Sequence, residues 1–244
     1  MNGAVERLPW DSQFFGVMIG SVQLEGATTE SLSGILDQAR DLGIDCLYGT
    51  LDQFEADEAF FVQEAGFRLV EVALRFGRPA GPFTPKVTTS TVRRGNLDDL
   101  ARLDEAIATL SPWSRFAADP RFGPEAANRM FRAWVERAAG DGEEHMLLVA
   151  EDESGITGLS TNVRHPVPRV DLMGVTKPGS GASWALMDGL IRWAEHGLTE
   201  AGPCAARNIA VLRYVENCGF RVVASQYKFH RWLDDPDPDR AHRG

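Results

Sequence analysis

The chain has 244 residues with 35 acidic against 25 basic side chains, a net charge of −10 that disfavours non-specific binding to nucleic acid. Hydrophobic content of 43% and charged content of 25% are those of a globular protein with a substantial core, and no apolar run of about 18 residues marks a membrane span. The three cysteines, Cys46, Cys204 and Cys218, have neither the spacing of a zinc site nor the even number of a disulfide framework. No metal is therefore expected, and a reducing cytoplasm is the expected compartment; residues 1–9 lack the pattern of a secretory signal.

Residues 8–16 read Leu-Pro-Trp-Asp-Ser-Gln-Phe-Phe-Gly, placing Trp10, Phe14 and Phe15 in an aromatic cluster ahead of a strand at 17–24. Thr29 is an expected cap for a helix to about residue 42, with Leu32, Ile35, Leu36 and Ala39 on one face. A buried strand at 44–48, a short helix at 56–65 stopped by Gly66 and a long strand at 67–76 complete a β-α-β-α-β unit. Residues 78–86 hold three prolines and a glycine and read as a linker. The expected organisation is an N-terminal partial domain at 1–79, a linker at 80–86, a second domain at 87–233 and a disordered tail at 234–244.

The second unit begins with an alternating strand at 87–92. Asn96 and Asp99 have the spacing of an N-cap and its reciprocal partner, opening a helix to about Leu110. Residues 111–123 are turn-rich, with three aromatics and two arginines, and a helix at 124–139 carries Ala127, Met130, Phe131, Trp134, Val135 and Ala138 on one stripe. Strands at 145–151 and 156–163 pair as a hairpin across the turn Asp152-Glu153-Ser154-Gly155. A long aromatic strand follows at 221–232.

Residues 170–220 carry the chemistry. A strand at 170–175 runs into the turn Thr176-Lys177-Pro178-Gly179-Ser180-Gly181, and Leu186, Met187, Leu190, Ile191 and Ala194 then mark one face of a helix. A helix that starts directly after glycines points unpaired N–H groups and its dipole at whatever lies in front, a setting that favours phosphate. Asn208 and Gly219-Phe220 bracket a last helix with the stripe Val211, Leu212 and Val215. The steps Gly66-Phe67-Arg68 and Gly219-Phe220-Arg221 each stand between a helix and a long strand, a weak internal repeat.

With these residues in place, the chain resembles the GNAT superfamily of acyltransferases. Within it, it is similar to the dTDP-fucosamine acetyltransferase family, which acetylates the 4-amine of a nucleotide-linked sugar. The likeness rests on Trp10, Phe14, Phe15 and Gly16, on residues 65–70, on Ser114-Arg115-Phe116 ahead of the helix with Trp134, on 179–187 and on 208–220. It implies a mixed α/β (α+β) sheet: a GNAT acyltransferase domain preceded by a half-GNAT β-α-β-α-β domain. It implies two central strands splayed around a thioester, with an amine attacking the carbonyl and a tyrosine on the last helix protonating the thiolate. No cofactor is held permanently; acyl-CoA is the implied co-substrate and a small-molecule amine the acceptor, with no membrane partner; a homodimer is one possible assembly, and the sequence leaves the oligomeric state open.

Carried over residue by residue, the donor site comprises Met173, Gly174 and Val175, whose N–H groups polarise the thioester oxygen, and Lys177, Gly179, Ser180, Gly181, Ala182, Ser183 and Asn208. The acceptor side comprises Trp113, Ser114, Arg115, Phe116 and Arg121, with arginine pairing an anionic group bidentately. Three positions depart from the family pattern. Ser180-Gly181-Ala182-Ser183 lacks the usual loop charge, the tyrosine position is Val215 with Tyr214 one residue earlier, and Ala201-Gly202-Pro203-Cys204-Ala205 replaces a β-branched strand. The catalytic candidates are Tyr214, a relocated acid or a packing tyrosine, and Asp171, a base for the amine or a solvent-facing strand residue. Lys177 either replaces the missing loop charge or is a solvated lysine. His145, His165, His196 and His230 are scattered and read as structural or exposed. Two further readings stay open: a non-CoA donor, an aminoacyl-tRNA or a carrier-protein thioester, and a binding protein without catalysis.

Overall fold

A computed structural model of the chain describes residues 3–52, 56–86, 89–140, 142 and 144–235, the side chains of residues 56 and 57 aside. The expected tail at 236–244 and the expected strand start at 87 and 88 lie outside the described residues. In chain order the elements are β1 (Glu6–Arg7), α1 (Pro9–Phe15), β2 (Ile19–Gln23), α2 (Thr29–Asp41), β3 (Cys46–Leu51), α3 (Ala56–Glu64) and β4 (Arg68–Arg78). There follow β5 (Thr91–Arg94), α4 (Asp104–Ala108), α5 (Arg115–Ala118), α6 (Gly123–Gly140), β6 (His145–Asp152), β7 (Gly155–Val163) and β8 (Arg169–Val175). The chain closes with α7 (Ala182–Trp193), β9 (Thr199–Ala205), α8 (Ile209–Asn217) and β10 (Arg221–Trp232).

Two units result: Met1–Ala73 with Ser225–Gly244, and Leu74–Ala224. The division falls within β4 and β10, not at 80–86, because each of these long strands passes from one unit to the other.

In the first unit β2 lies parallel to β3, β1 antiparallel to β2, and the end of β10 antiparallel to β3. The parallel pair needs a crossover, supplied by α2. Its cap is Thr28, one residue before the expected Thr29: the Thr28 hydroxyl accepts the Ser31 N–H, and the Ser31 hydroxyl accepts the Thr28 N–H at 2.8 Å. Leu32, Ile35, Leu36 and Ala39 are buried with Leu24, Leu47, Leu51, Val62, Phe67 and Phe229. β3 starts later than expected and runs further, to Leu51.

In the second unit the strand order is β4-β9-β8-β7-β6-β5. β5 to β8 are antiparallel, and β8 lies parallel to β9. Met146, Leu148 and Ala150 on β6 pack with Ala182 and Leu186 of α7, while Met187, Leu190 and Ile191 pack with Val170, Ala201, Val215, Cys218 and Phe220. Each leucine, isoleucine, valine, methionine or phenylalanine among them contributes roughly 1.5–3 kcal/mol on burial. The opposite side of β8 receives α4: a Cβ on Gly174 would lie 2.4 Å from the Ala106 carbonyl oxygen and 2.9 Å from the Thr109 hydroxyl. Only glycine allows that approach.

The helix expected from Asn96 to Leu110 is not continuous. Asn96 and Asp99 form the anticipated reciprocal cap, but over a 3₁₀ turn at Leu97–Arg102, followed by the short α4. The reason is Arg93: its guanidinium holds both Asp99 oxygens at 2.8 and 2.6 Å and both Glu151 oxygens at 3.0 and 2.8 Å. Asp99 is thereby fixed to β5 and β6, and the chain tightens around it. The expected linker is ordered too. Arg78 is buried at the end of β4 and donates to the carbonyls of Pro79, Gly81 and Pro82, while Phe83 stacks on Trp184 with ring centroids 6.1 Å apart.

The Arg93 guanidinium holds the carboxyls of Asp99 and Glu151 below their ordinary range. Depressed folded values give stabilisation that is complete above the unfolded values near pH 4 and lost as pH falls through the folded ones. Arg93→Gln is expected to cost about 1–2 kcal/mol at pH 7, allowing for solvent screening at a partly exposed guanidinium. It is also expected to flatten the acid limb of stability; urea titrations from pH 7 to pH 3 check both.

Candidate active site

β8 and β9 pair only at their N-terminal ends, Arg169 with Glu200 and Val170 with Ala201. Both strands leave the ladder at the next residue. On β8, Asp171 has no partner across β7, because the register shifts between Thr161 and Asn162 and resumes with Leu172. That is a β-bulge. On β9, Gly202 has φ 99° and Pro203 follows with no N–H to give. The strands therefore part towards their C-terminal ends.

The bulge decides which amides face the gap. The Thr176 N–H donates to the Thr157 carbonyl at 3.0 Å. Antiparallel ladders alternate, so Gly174 and Leu172 also turn their N–H groups to β7, and Met173 and Val175 turn theirs to the edge that β9 has left. The Met173 side chain packs with the α7 clusters, and Gly174 is covered by the end of α4. Asp171 sits at the bulge with an oxygen 2.6 Å from Arg169 Nε, an ion pair within its own strand.

Past Val175 the turn reverses through Gly179 and Gly181, at φ 83° and 82°. Gly181 is the N-cap of α7 and offers no side-chain cap, and the Ser180 hydroxyl accepts the Ala182 N–H at 3.3 Å. The N–H groups of Ser183 and Trp184 are those the helix ladder leaves over. The Lys177 ammonium lies 3.5 Å from the Asp152 carboxylate. Asp152 is held below its ordinary range by hydrogen bonds from Ser154 and, further, by Lys177. The turn thus offers backbone donors, while its lysine faces a carboxylate.

α8 starts at Asn208, whose side chain accepts the Val211 N–H at 3.3 Å, so Asn208 is a helix cap. Val215 is buried in the core. The Tyr214 hydroxyl donates to the Ser183 carbonyl at 2.6 Å, and its ring meets Trp184 edge-on at 5.6 Å. Burial pushes the Tyr214 phenol well above its ordinary value, with Cys218 adding to the rise, and burial pushes the Cys218 thiol up to about 11.

On the acceptor side Ser114 is spent on the fold: its hydroxyl donates to the Ser111 carbonyl and accepts the Ala117 N–H, capping α5. Phe116 is buried edge-on to Phe122, and the Arg115 guanidinium lies 4.6 Å from the Phe116 ring centre. The Arg121 N–H donates to buried Asp119. Trp113 is exposed, beside the guanidinium of Arg207, which donates to the carbonyls of Pro112 and Ser114. Arg207, Thr109 and Trp184 escape a reading by motif, since their contacts join segments far apart in sequence. Among the described residues no group of His, Cys, Asp and Glu could hold a metal ion. No helix among them is long and apolar enough to cross a membrane.

No protein-family profile and no curated protein matches the chain. Solved structures do. A functionally unknown conserved protein from Staphylococcus epidermidis superposes with a TM-score of 0.72 at 12% identity, over 95% of this chain and 91% of that one. A GCN5-related N-acetyltransferase from Sphaerobacter thermophilus gives 0.60 at 14% identity, over 94% and 76%. One from Kribbella flavida gives 0.60 at 12% identity, over 94% and 87%. The fold is therefore that of the GCN5-related N-acetyltransferases. Nothing in these matches singles out the dTDP-fucosamine group.

Tyr214→Phe removes the hydrogen bond to Ser183 and keeps the ring on Trp184. The expected loss is about 1 kcal/mol, or 2–4 °C in Tm. Thioester turnover is expected to fall less than about tenfold, against 10²-fold or more for an essential acid. Thermal melts and steady-state rates on the same protein check the two numbers.

Proposed function

We propose that the protein transfers an acyl group from an acyl-CoA to the amine of a small molecule, an amino sugar or a specialised-metabolite intermediate. The observation that carries this reading is the parted edge of β8, with the Met173 and Val175 amides turned to it, leading directly into the uncapped start of α7. The thioester lies along that edge and its carbonyl oxygen accepts a backbone N–H. The pyrophosphate meets the turn at 179–183 and the dipole of α7. The amine nitrogen attacks the carbonyl carbon, the C–S bond breaks, the sulfur leaves as thiolate and takes up a proton, and the amine gives one up.

Most of the rate comes from alignment, which supplies roughly 7–11 kcal/mol when reacting groups are held in contact. A thiol with an ordinary pKa of about 8.5 leaves without a strong acid near neutral pH, so the engagement of Tyr214 with Ser183 is compatible with turnover. Arg115 and Arg121 are the acceptor-side candidates for an anionic group, with Trp113 for a ring or sugar face. One observation favours a second donor. With Lys177 turned to Asp152, the turn supplies no unpaired side-chain charge, which suits a thioester on a carrier protein as well as CoA. The net charge of −10 weighs against aminoacyl-tRNA.

Ser183→Asp separates donor binding from stability. An acid in the first turn of α7 favours the helix by about 0.3–1 kcal/mol, but repels a phosphate arriving at the same N–H groups. The expected outcome is an unchanged or higher Tm with acetyl-CoA affinity at least tenfold weaker by calorimetry. Equal affinity in both proteins removes the donor from this turn.

A further inference from the structure

We infer that Arg207 is a positioning residue that clasps the segment at 109–114 across the open end of the β8–β9 gap, forming a bridge that limits what reaches the thioester. The inference rests on the acyl-transfer reading of that gap. One foot of the bridge is on β8, where Thr109 and the Ala106 carbonyl close over Gly174 so tightly that a Cβ there would lie 2.4 Å from the carbonyl oxygen. The Thr109 hydroxyl also donates to that carbonyl at 2.6 Å, fixing the end of α4. The other foot is beyond β9. Arg207 lies in the turn between β9 and α8, and its Nη2 donates to the Pro112 carbonyl at 2.7 Å and more weakly to the Ser114 carbonyl at 3.4 Å. The same guanidinium lies 5.7 Å from the centre of the Trp113 ring.

These contacts lie at the end of the sheet where the strands have parted, since β8 and β9 pair only at Val170 and before. Five residues beyond Thr109, the chain has crossed from the β8 side to the β9 side, and Arg207 holds its far end to the β9–α8 turn by side-chain hydrogen bonds. Two carbonyls and a ring face suit a planar guanidinium with several donors; lysine offers a point charge and reaches one carbonyl at a time. Releasing the clasp is expected to admit water to the thioester without touching the donor's phosphate contacts at 179–183.

The test uses the whole chain as wild type, Arg207→Gln and Arg207→Lys, with acetyl-CoA as the probe and no amine present. Three readings are taken: amide exchange across 109–114, acetyl-CoA affinity by calorimetry, and release of free CoA by hydrolysis. The expected result is exchange at 109–114 at least tenfold faster in Arg207→Gln, affinity within twofold of wild type and hydrolysis at least threefold faster, with Arg207→Lys between. Unchanged exchange would overturn the clasp. Faster exchange with unchanged hydrolysis of bound acetyl-CoA would overturn its role at the gap and leave a purely structural contact. If acetyl-CoA binds none of the three proteins, the CoA reading above fails, and the exchange data alone still support or overturn the clasp.

Discussion

The parting of β8 from β9 is the constraint on which the site depends. Two local features produce it at the same level of the sheet: the bulge at Asp171 and the left-handed turn of Gly202 ahead of Pro203. Each alone would weaken a ladder; facing each other directly past the Val170–Ala201 pair, they end it. Backbone groups at an unpaired edge must find partners in water, protein or ligand. The Met173 and Val175 amides are such groups, set on a strand whose other side is fixed by β7, so they are held in place before anything binds. A rigid donor held in advance is what a developing oxyanion requires.

Around this gap the two helices are tied to each other. The Tyr214 hydroxyl on α8 donates a hydrogen bond to the Ser183 carbonyl in the first turn of α7, and Trp184 is flanked by Tyr214 and Phe83, with the Lys86 ammonium 5.0 Å from its ring centre. The segment at 79–86 reaches that cluster because Arg78, buried at the end of β4, gathers its carbonyls. Proline and glycine content there predicts an open linker, yet prolines also leave carbonyls unopposed by N–H groups, and a buried guanidinium collects them. Tethering of this kind stiffens the start of α7, which the donor reading needs as a fixed anion site.

Periodicity made much of the fold legible. The stripe at Leu186, Met187, Leu190 and Ile191 is buried as its spacing implies, and Asn208 caps α8. The Gly-Phe steps also have a clear local meaning. Gly66 and Gly219 have φ 83° and 86°, and the N–H groups of Phe67 and Phe220 reach back to Val62 and Val215, the wrap that ends a helix with a left-handed residue. Gly43 and Ile44 end α2 by the same wrap without a Phe-Arg step, so the recurrence reflects helix termination at least as much as shared descent. What stayed illegible was non-local. Asp99 looks like a helix partner until Arg93 is seen to hold it, and Arg207 meets Pro112 across 95 residues. Residues 201–205 looked like a damaged strand by composition; in the sheet they mark where the strand must leave its neighbour.

The central claim is that a thioester donor lies along the edge of β8 with its carbonyl on one of the outward amides. Backbone amide NMR of the whole chain titrated with acetyl-CoA tests it most directly. The account predicts that Met173 and Val175 shift strongly, together with Ser183 and Trp184 at the start of α7, while Leu172 and Gly174, bonded to β7, move little. Saturable binding that leaves Met173 and Val175 unmoved would contradict it.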